Sequence, residues 1–269
     1  MASFHPALAF SLALLFTGVA HAQPAQSPAK PPPPIRAFDL PQVEQLGRAI
    51  YRQDIAAWLA SDALAKKVPD LQGAGLKGWL VEDDGRTATV RFLRDTGSGL
   101  EIGYDVVVDG KGAGAVTEPA DRKLSEDERL TFSARQAAIA VQPKTCRAGY
   151  NTAIVRDPEG DGFIVWLLAP SPAAGAIPVG GHYRISVAAD GKTVTRVDAL
   201  SASCLMIEKP KAAEGKPALA FATHIVSPTP VETQVFLSLL YKLPLAIGTN
   251  GGKDVWIVDQ GKINKTQLK

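Results

Sequence analysis

The chain is poor in the side chains that most catalytic and metal chemistry depends on: its 269 residues hold two cysteines and four histidines. Nor does it lean to one charge. Twenty-nine basic residues stand against 27 acidic ones, a net charge of +2, and no basic cluster is larger than a pair such as Lys66-Lys67. That balance excludes the electrostatic footprint of a nucleic-acid binder or of a protein drawn to anionic membrane. Beyond the N-terminus, no stretch approaches the ~20 consecutive apolar residues that a bilayer-spanning helix needs.

What is present begins with the N-terminus. Residues 1–22 contain no Asp, Glu, Lys or Arg, carry an apolar run from Ala7 to Phe16, and end in the small-residue pattern Ala20-His21-Ala22. They read as a secretory signal peptide, so a periplasmic or secreted, soluble protein is expected. Residues 23–36 follow with six prolines among Ala, Gln and Ser. Such a composition cannot bury enough apolar area to offset its ordering entropy, and a Pro-rich disordered linker is expected. In an oxidising compartment Cys146 and Cys204 are expected to pair, with two buried free thiols as the alternative. A bond closing a loop of about 58 residues contributes roughly 4 kcal/mol in the chain-entropy model.

Pro41, with Val43, Leu46, Ile50, Trp58 and Leu59 at helical spacing, predicts a helix from about Asp39 to Lys66. Strands are expected at 78–82, 87–94 and 100–109, parted by Asp84-Gly85 and by Thr96-Gly97-Ser98-Gly99. Ser125 with Glu128 marks a second helix, reaching about Val141. Two hairpins come next, 150–156 with 163–168 and 182–188 with 193–200. The last third reads as strands at 218–226, 233–241, 245–249 and 255–258, the nearly continuous apolar run 235–241 being taken as a strand covered on both faces. The fold class is therefore α+β: two helix-plus-antiparallel-meander units followed by a strand-rich C-terminal block. The first unit is placed at 37–122, and the second, with the block, at 123–269. This order of elements is similar to that of small periplasmic domains of the PepSY or cystatin-like type.

Four motifs invite a chemical reading. Asp157, Glu159, Asp161 and Gly162 match the first half of an EF-hand loop, but the twelfth position is Leu168 and the flanks read as strands, so a hairpin turn is expected. Gly191-Lys192-Thr193 resembles the end of a phosphate-binding loop, with Ser186 where the opening glycine belongs and no helix to follow. Gly110, Gly112 and Gly114 likewise read as turn glycines. Asp95-Thr96-Gly97-Ser98 resembles the active-site motif of aspartic proteases, which work with two aspartates sharing a proton, whereas this chain has one copy.

Gly181-His182 with Ser201-Ala202-Ser203-Cys204-Leu205 distantly resembles the His and Ser-x-Gly-Cys region of L,D-transpeptidases, exported cysteine enzymes that modify peptidoglycan. The resemblance implies Cys204 as nucleophile and His182 as base. Tyr183, Ser203 and Met206 depart from that family's pattern. His224, with Ser227 nearby and Glu232 downstream, is a candidate binding cluster, though a hydrogen-bonded histidine at a strand end is expected. Trp58, Trp79, Trp166 and Trp256 are expected in the core. No metal and no cofactor is implied. The function expected is non-catalytic: an exported protein that binds another periplasmic or envelope protein, as an inhibitor, immunity factor or assembly accessory. The alternatives are a peptidoglycan-modifying cysteine enzyme and a protein that binds a small ligand or wall fragment. A deep, aromatic-lined cleft between the two units would single out the last.

Overall fold

Asp39 starts the fold. In the computed structural model its carboxylate accepts the backbone N–H of Gln42 and so caps α1 (Leu40–Lys67), while Pro41 sits in the first turn, where a missing N–H costs nothing. The described residues are 34–143, 146, 149–210 and 218–266; the expected signal peptide and the linker up to residue 33 lie outside them. Residues 34–36, also assigned to the linker, are docked instead. The Arg36 guanidinium takes both carboxylate oxygens of Asp157, at 2.5 and 2.8 Å, and Ile35 packs on the core.

α1 serves two cores in succession. Val43, Leu46 and Ile50 join the C-terminal core, and about two to four turns later Ala56, Ala60 and Leu64 lie on the first sheet. That sheet runs β1 (Leu76–Asp83), β2 (Ala88–Asp95), β3 (Leu100–Asp109) and β4 (Gly112–Thr117), antiparallel and in chain order. β4 replaces the simple glycine turn expected there. Gly112, at φ 119°, bends the chain back, and residues as small as Gly and Ala give a strand no alternating apolar signal.

α2 (Glu126–Ala140) opens with the expected capping box: the Glu128 N–H donates to Ser125 Oγ at 3.2 Å and the Ser125 N–H to Glu128 Oε2 at 2.7 Å. Then come β5 (Asn151–Arg156), β6 (Phe163–Leu168), β7 (Ala176–Pro178), β8 (Tyr183–Val187), β9 (Val194–Ala199) and β10 (Met206–Glu208). A second antiparallel sheet has the order β5-β6-β8-β9, while β7 and β10 pair as a separate ribbon. β6 is buried at every position. Phe163, Val165 and Leu167 face Ala134 and Ala138 of α2, and Ile164, Trp166 and Leu168 face the core that α1 helps to build.

The C-terminal block corrects one expectation. Residues 233–241, read as a strand, belong to a helix, α3 (Glu232–Tyr241), which links β11 (Ala220–Thr223) to its parallel neighbour β12 (Leu245–Thr249). A parallel pair needs a crossover, and this helix supplies it. It is buried almost all round, so its sequence shows no helical period and a short apolar run looks the same as a covered strand. β13 (Asp254–Asp259) and β14 (Lys262–Thr266) complete the sheet, order β11-β12-β13-β14, turning at Gln260-Gly261 as expected. α3 crosses α1 at Gly47, where a Cβ would come within 2.4 Å of Val235 Cβ. The architecture is thus α+β, with two helix-and-meander units and a strand-rich C-terminal region.

The expected bond between Cys146 and Cys204 is present, with Cα atoms 5.5 Å apart. It passes over Gly181, where a Cβ would meet the Cys146 sulfur at 2.2 Å. Among the described residues no helix is long and apolar enough to cross a membrane.

Candidate functional site

Two cavities of about 260 and 530 Å³ meet where α1, β1, α2 and β5 face one another, and Ser61 and Trp79 wall both. Their combined size lies in the range of small-ligand sites. α1 is held there by Gln53. Its side-chain amide donates to the Ile154 carbonyl at 2.7 Å and accepts the Ile154 N–H at 2.9 Å, standing in for the strand neighbour that the edge of the sheet lacks.

That contact places the next residue, Asp54, beside Asn151, whose side chain hydrogen-bonds to it. Burial nevertheless pushes the Asp54 carboxyl up to about 6, and no cation pairs with it among the described residues. One turn on, Trp58 is 58% exposed, contrary to the expectation that it packs in the core. The buried positions around it are alanines, 56, 57 and 60, which let the neighbouring strands approach the helix closely. Trp79, also expected in the core, is half-buried and lies under the guanidinium of Arg135, 4.3 Å from its ring centre. Trp166 and Trp256 are buried as expected.

Arg135 is the least ordinary residue of the groove. It is 7% exposed, its Nε donates to Thr152 Oγ1 at 2.7 Å, and no carboxylate pairs with it among the described residues. Burial alone pulls it down to about 10. Space for its outer nitrogens comes from a bulge in β1 at Gly78, φ 147°, where a Cβ would lie 2.5 Å from Arg135 Nη1. The groove therefore holds a guanidinium at one end, a carboxylate at the other, and two indole side chains in its wall.

The residues singled out from the sequence lie elsewhere. Cys204 is spent in the disulfide. His182 accepts the Ala169 N–H through Nδ1 at 3.0 Å and donates from Nε2 to the Pro178 carbonyl at 2.6 Å, and burial lowers it to about 4. The sulfur and imidazole that the transpeptidase resemblance called for are thus both committed to holding the fold.

His224 and Ser227 do meet, at 2.7 Å, but every donor in their chain is fixed. The Val231 N–H occupies Gln234 Oε1, so Gln234 Nε2 donates to His224 Nδ1 at 3.2 Å. His224 must then donate from Nε2 to Ser227 Oγ, whose own proton goes to the Thr229 carbonyl at 2.6 Å. An imidazole that donates to a hydroxyl takes no proton from it. Burial lowers His224 to about 4 as well.

Glu232, expected beside His224, faces the other way. It accepts Trp166 Nε1–H at 2.8 Å and Arg184 Nη1 at 3.0 Å, while Arg184 Nη2 reaches Asp198 at 3.0 Å and the Arg36 carbonyl. Phe38 lies between the Arg36 and Arg184 guanidinia, 4.7 Å from each.

The turn motifs are turns. Asp157 is taken by Arg36, Asp95 accepts the Gly97 N–H in an exposed hairpin, and Asp190 accepts the N–H groups of Lys192 and Thr193. Among the described residues no cluster of His, Cys, Asp or Glu is placed to hold a metal ion.

Sequence reasoning missed Arg135 and Asp54. For Arg135 a signal exists: it stands three residues from both Phe132 and Ala138, on the buried stripe of α2, where a cation is out of place. No family model, no curated protein and no solved structure matches this chain.

Proposed function

We propose that this chain is an exported, non-catalytic binding protein of the cell envelope that holds its ligand in the groove between the two helix-and-meander units. One observation carries the reading: Arg135 and Asp54, opposite charges with no ionic partner among the described residues, share that groove with two indole side chains. Groups whose ionised form the fold itself opposes, set in a concave and partly apolar wall, mark a site built for something outside the chain. The cysteine-enzyme alternative has no comparable support, since Cys204 and His182 are both occupied.

The test is indole fluorescence of the purified, signal-free protein during titration with the peptide fraction of a cell-wall digest and with short synthetic peptides. A saturable change that Trp58→Ala removes supports the reading. Absence of a response to every fraction counts against it, as does turnover of a wall substrate.

A second reading, docking of a partner protein, draws on the edge strand β11, where Phe221 is 60% and nearby Ile225 73% exposed. Under that reading a partner strand adds to β11. Phe221→Asp would abolish a complex cross-linked in envelope extract while leaving ligand binding in the groove intact.

A further inference from the structure

The charges of the groove say more about its occupant, granted the binding role proposed above. A buried guanidinium is stabilised in this protein by carboxylates wherever the chain itself supplies them: Arg184 has Glu232 and Asp198, and the more exposed Arg36 holds Asp157 in a two-point fork. Arg135 has Thr152 on one nitrogen and an indole beneath it, and its two outer nitrogens have no hydrogen-bond partner among the described residues. Arg135 lines the larger of the two cavities, with Nη1 beside Gly78 of the same wall and apolar lining from Leu71, Phe92 and Ile139. A planar fork with two free donors matches a carboxylate in shape as well as charge.

The opposite end of the groove speaks against a polyanion. Asp54 stands there as an unpaired carboxylate, with Asn151 as its hydrogen-bond partner, so the two ends together carry no net charge. A phosphodiester or a run of acidic groups would meet that carboxylate at a cost. A molecule with one anionic and one cationic end would satisfy both.

We infer that the groove receives a short peptide end, its terminal carboxylate clasped by Arg135, its last apolar side chain against Trp79 and Ile139, and an ammonium group near Asp54. Protein tails and wall peptides both present this chemistry, and they differ in the handedness of their terminal residues.

The probes are alanyl-alanyl-phenylalanine as the free acid, its C-terminal amide and its N-acetyl form, titrated by calorimetry and indole fluorescence. The free acid should bind about tenfold or more tightly than the amide, because the amide leaves the guanidinium buried without an anion. Arg135→Met should erase the difference between acid and amide, and Asp54→Asn the difference between free and acetylated amine. Should Arg135→Met fail to fold, the comparison of acid with amide on the unaltered protein decides alone. A D-terminal isomer that outbinds the L form points to wall peptide, the reverse to a protein tail, and either supports the carboxylate clasp. Equal binding of acid and amide overturns the clasp and leaves a binding groove standing. Silence with every probe removes both. Tighter binding of inorganic phosphate than of the free acid would overturn the peptide end. So would a concentration-dependent dimer that Trp58→Ala abolishes, which would assign the groove to a second copy of the chain.

Discussion

Two buried arginines of this protein face opposite circumstances. Arg184, 1% exposed, is joined to Glu232 and Asp198, which lie at the start of α3 and on β9, and its charge is answered from within the chain. Arg135, 7% exposed, stacks on an aromatic ring much as Arg184 does, yet no carboxylate answers it among the described residues. Burial costs a cation several kcal/mol, and what offsets that cost tells structure from function. Arg184 ties residues 36 and 38 and the start of α3 to the second sheet. Arg135 joins α2 to Thr152 on β5 and to Trp79 on β1, with no carboxylate to balance its charge among the described residues.

The strongest way to break that contrast is to remove one partner of the answered charge. Arg184→Met leaves Glu232 in the core without a cation, while Asp198 keeps Arg196, and should lower the unfolding free energy by about 3–5 kcal/mol in urea titrations. An effect below about 1 kcal/mol would mean that the pair adds nothing.

Acid should separate the two regions next. His182 and His224 belong to the hydrogen-bonded interior and take up a proton near pH 4 folded, against an ordinary value near 6.5. The unfolded chain therefore binds those protons first, and each histidine removes about 1.4 kcal/mol of stability per pH unit as pH falls from 6.5 towards 4. Asp54 works against them. Its folded value near 6 lies above the ordinary 3.8, so it takes stability away as pH rises from about 4 to 6. Asp54→Asn should accordingly steepen the acid loss, which denaturant midpoints measured from pH 4 to pH 7 would show. A slope unchanged by the substitution would place the Asp54 carboxyl in ordinary contact with water.

Gly78→Ala offers a finer cut. The new methyl would meet Arg135 Nη1 at 2.5 Å, and the backbone angle of 147° suits glycine, so about 1–2 kcal/mol of stability should go together with most ligand binding. The smallest effect is expected from Asp54→Asn at pH 7, a gain of about 1 kcal/mol, since the half-buried carboxylate is ionised there at a cost.

How far the sequence could lead differs between the scaffold and the groove. The capping box at Ser125, the two hairpins of the second sheet and the pairing of Cys146 with Cys204 announce themselves locally, because caps, turns and cysteine counts are properties of adjacent residues or of the whole chain. α3 stayed hidden because burial on all sides erases the period that identifies a helix. Asp54, Trp58, Trp79 and Arg135 stayed hidden for another reason. Apart from Arg135, a cation on the buried stripe of α2, each looks ordinary on its own element, and the groove exists only where α1, β1, α2 and β5 come together across nearly a hundred residues of chain. His182 and Cys204, by contrast, drew attention as reactive types, and hydrogen bonds and a disulfide use up their reactivity.

The most direct measurement is the urea unfolding free energy of Arg135→Met in the absence of any ligand. If the fold leaves this guanidinium uncompensated, replacing it with an apolar side chain of similar length should leave stability at or above that of the parent protein, while the free-acid peptide no longer binds more tightly than its amide. A loss of about 3 kcal/mol or more, equal to that of Arg184→Met, would show that Arg135 is a structural ion after all.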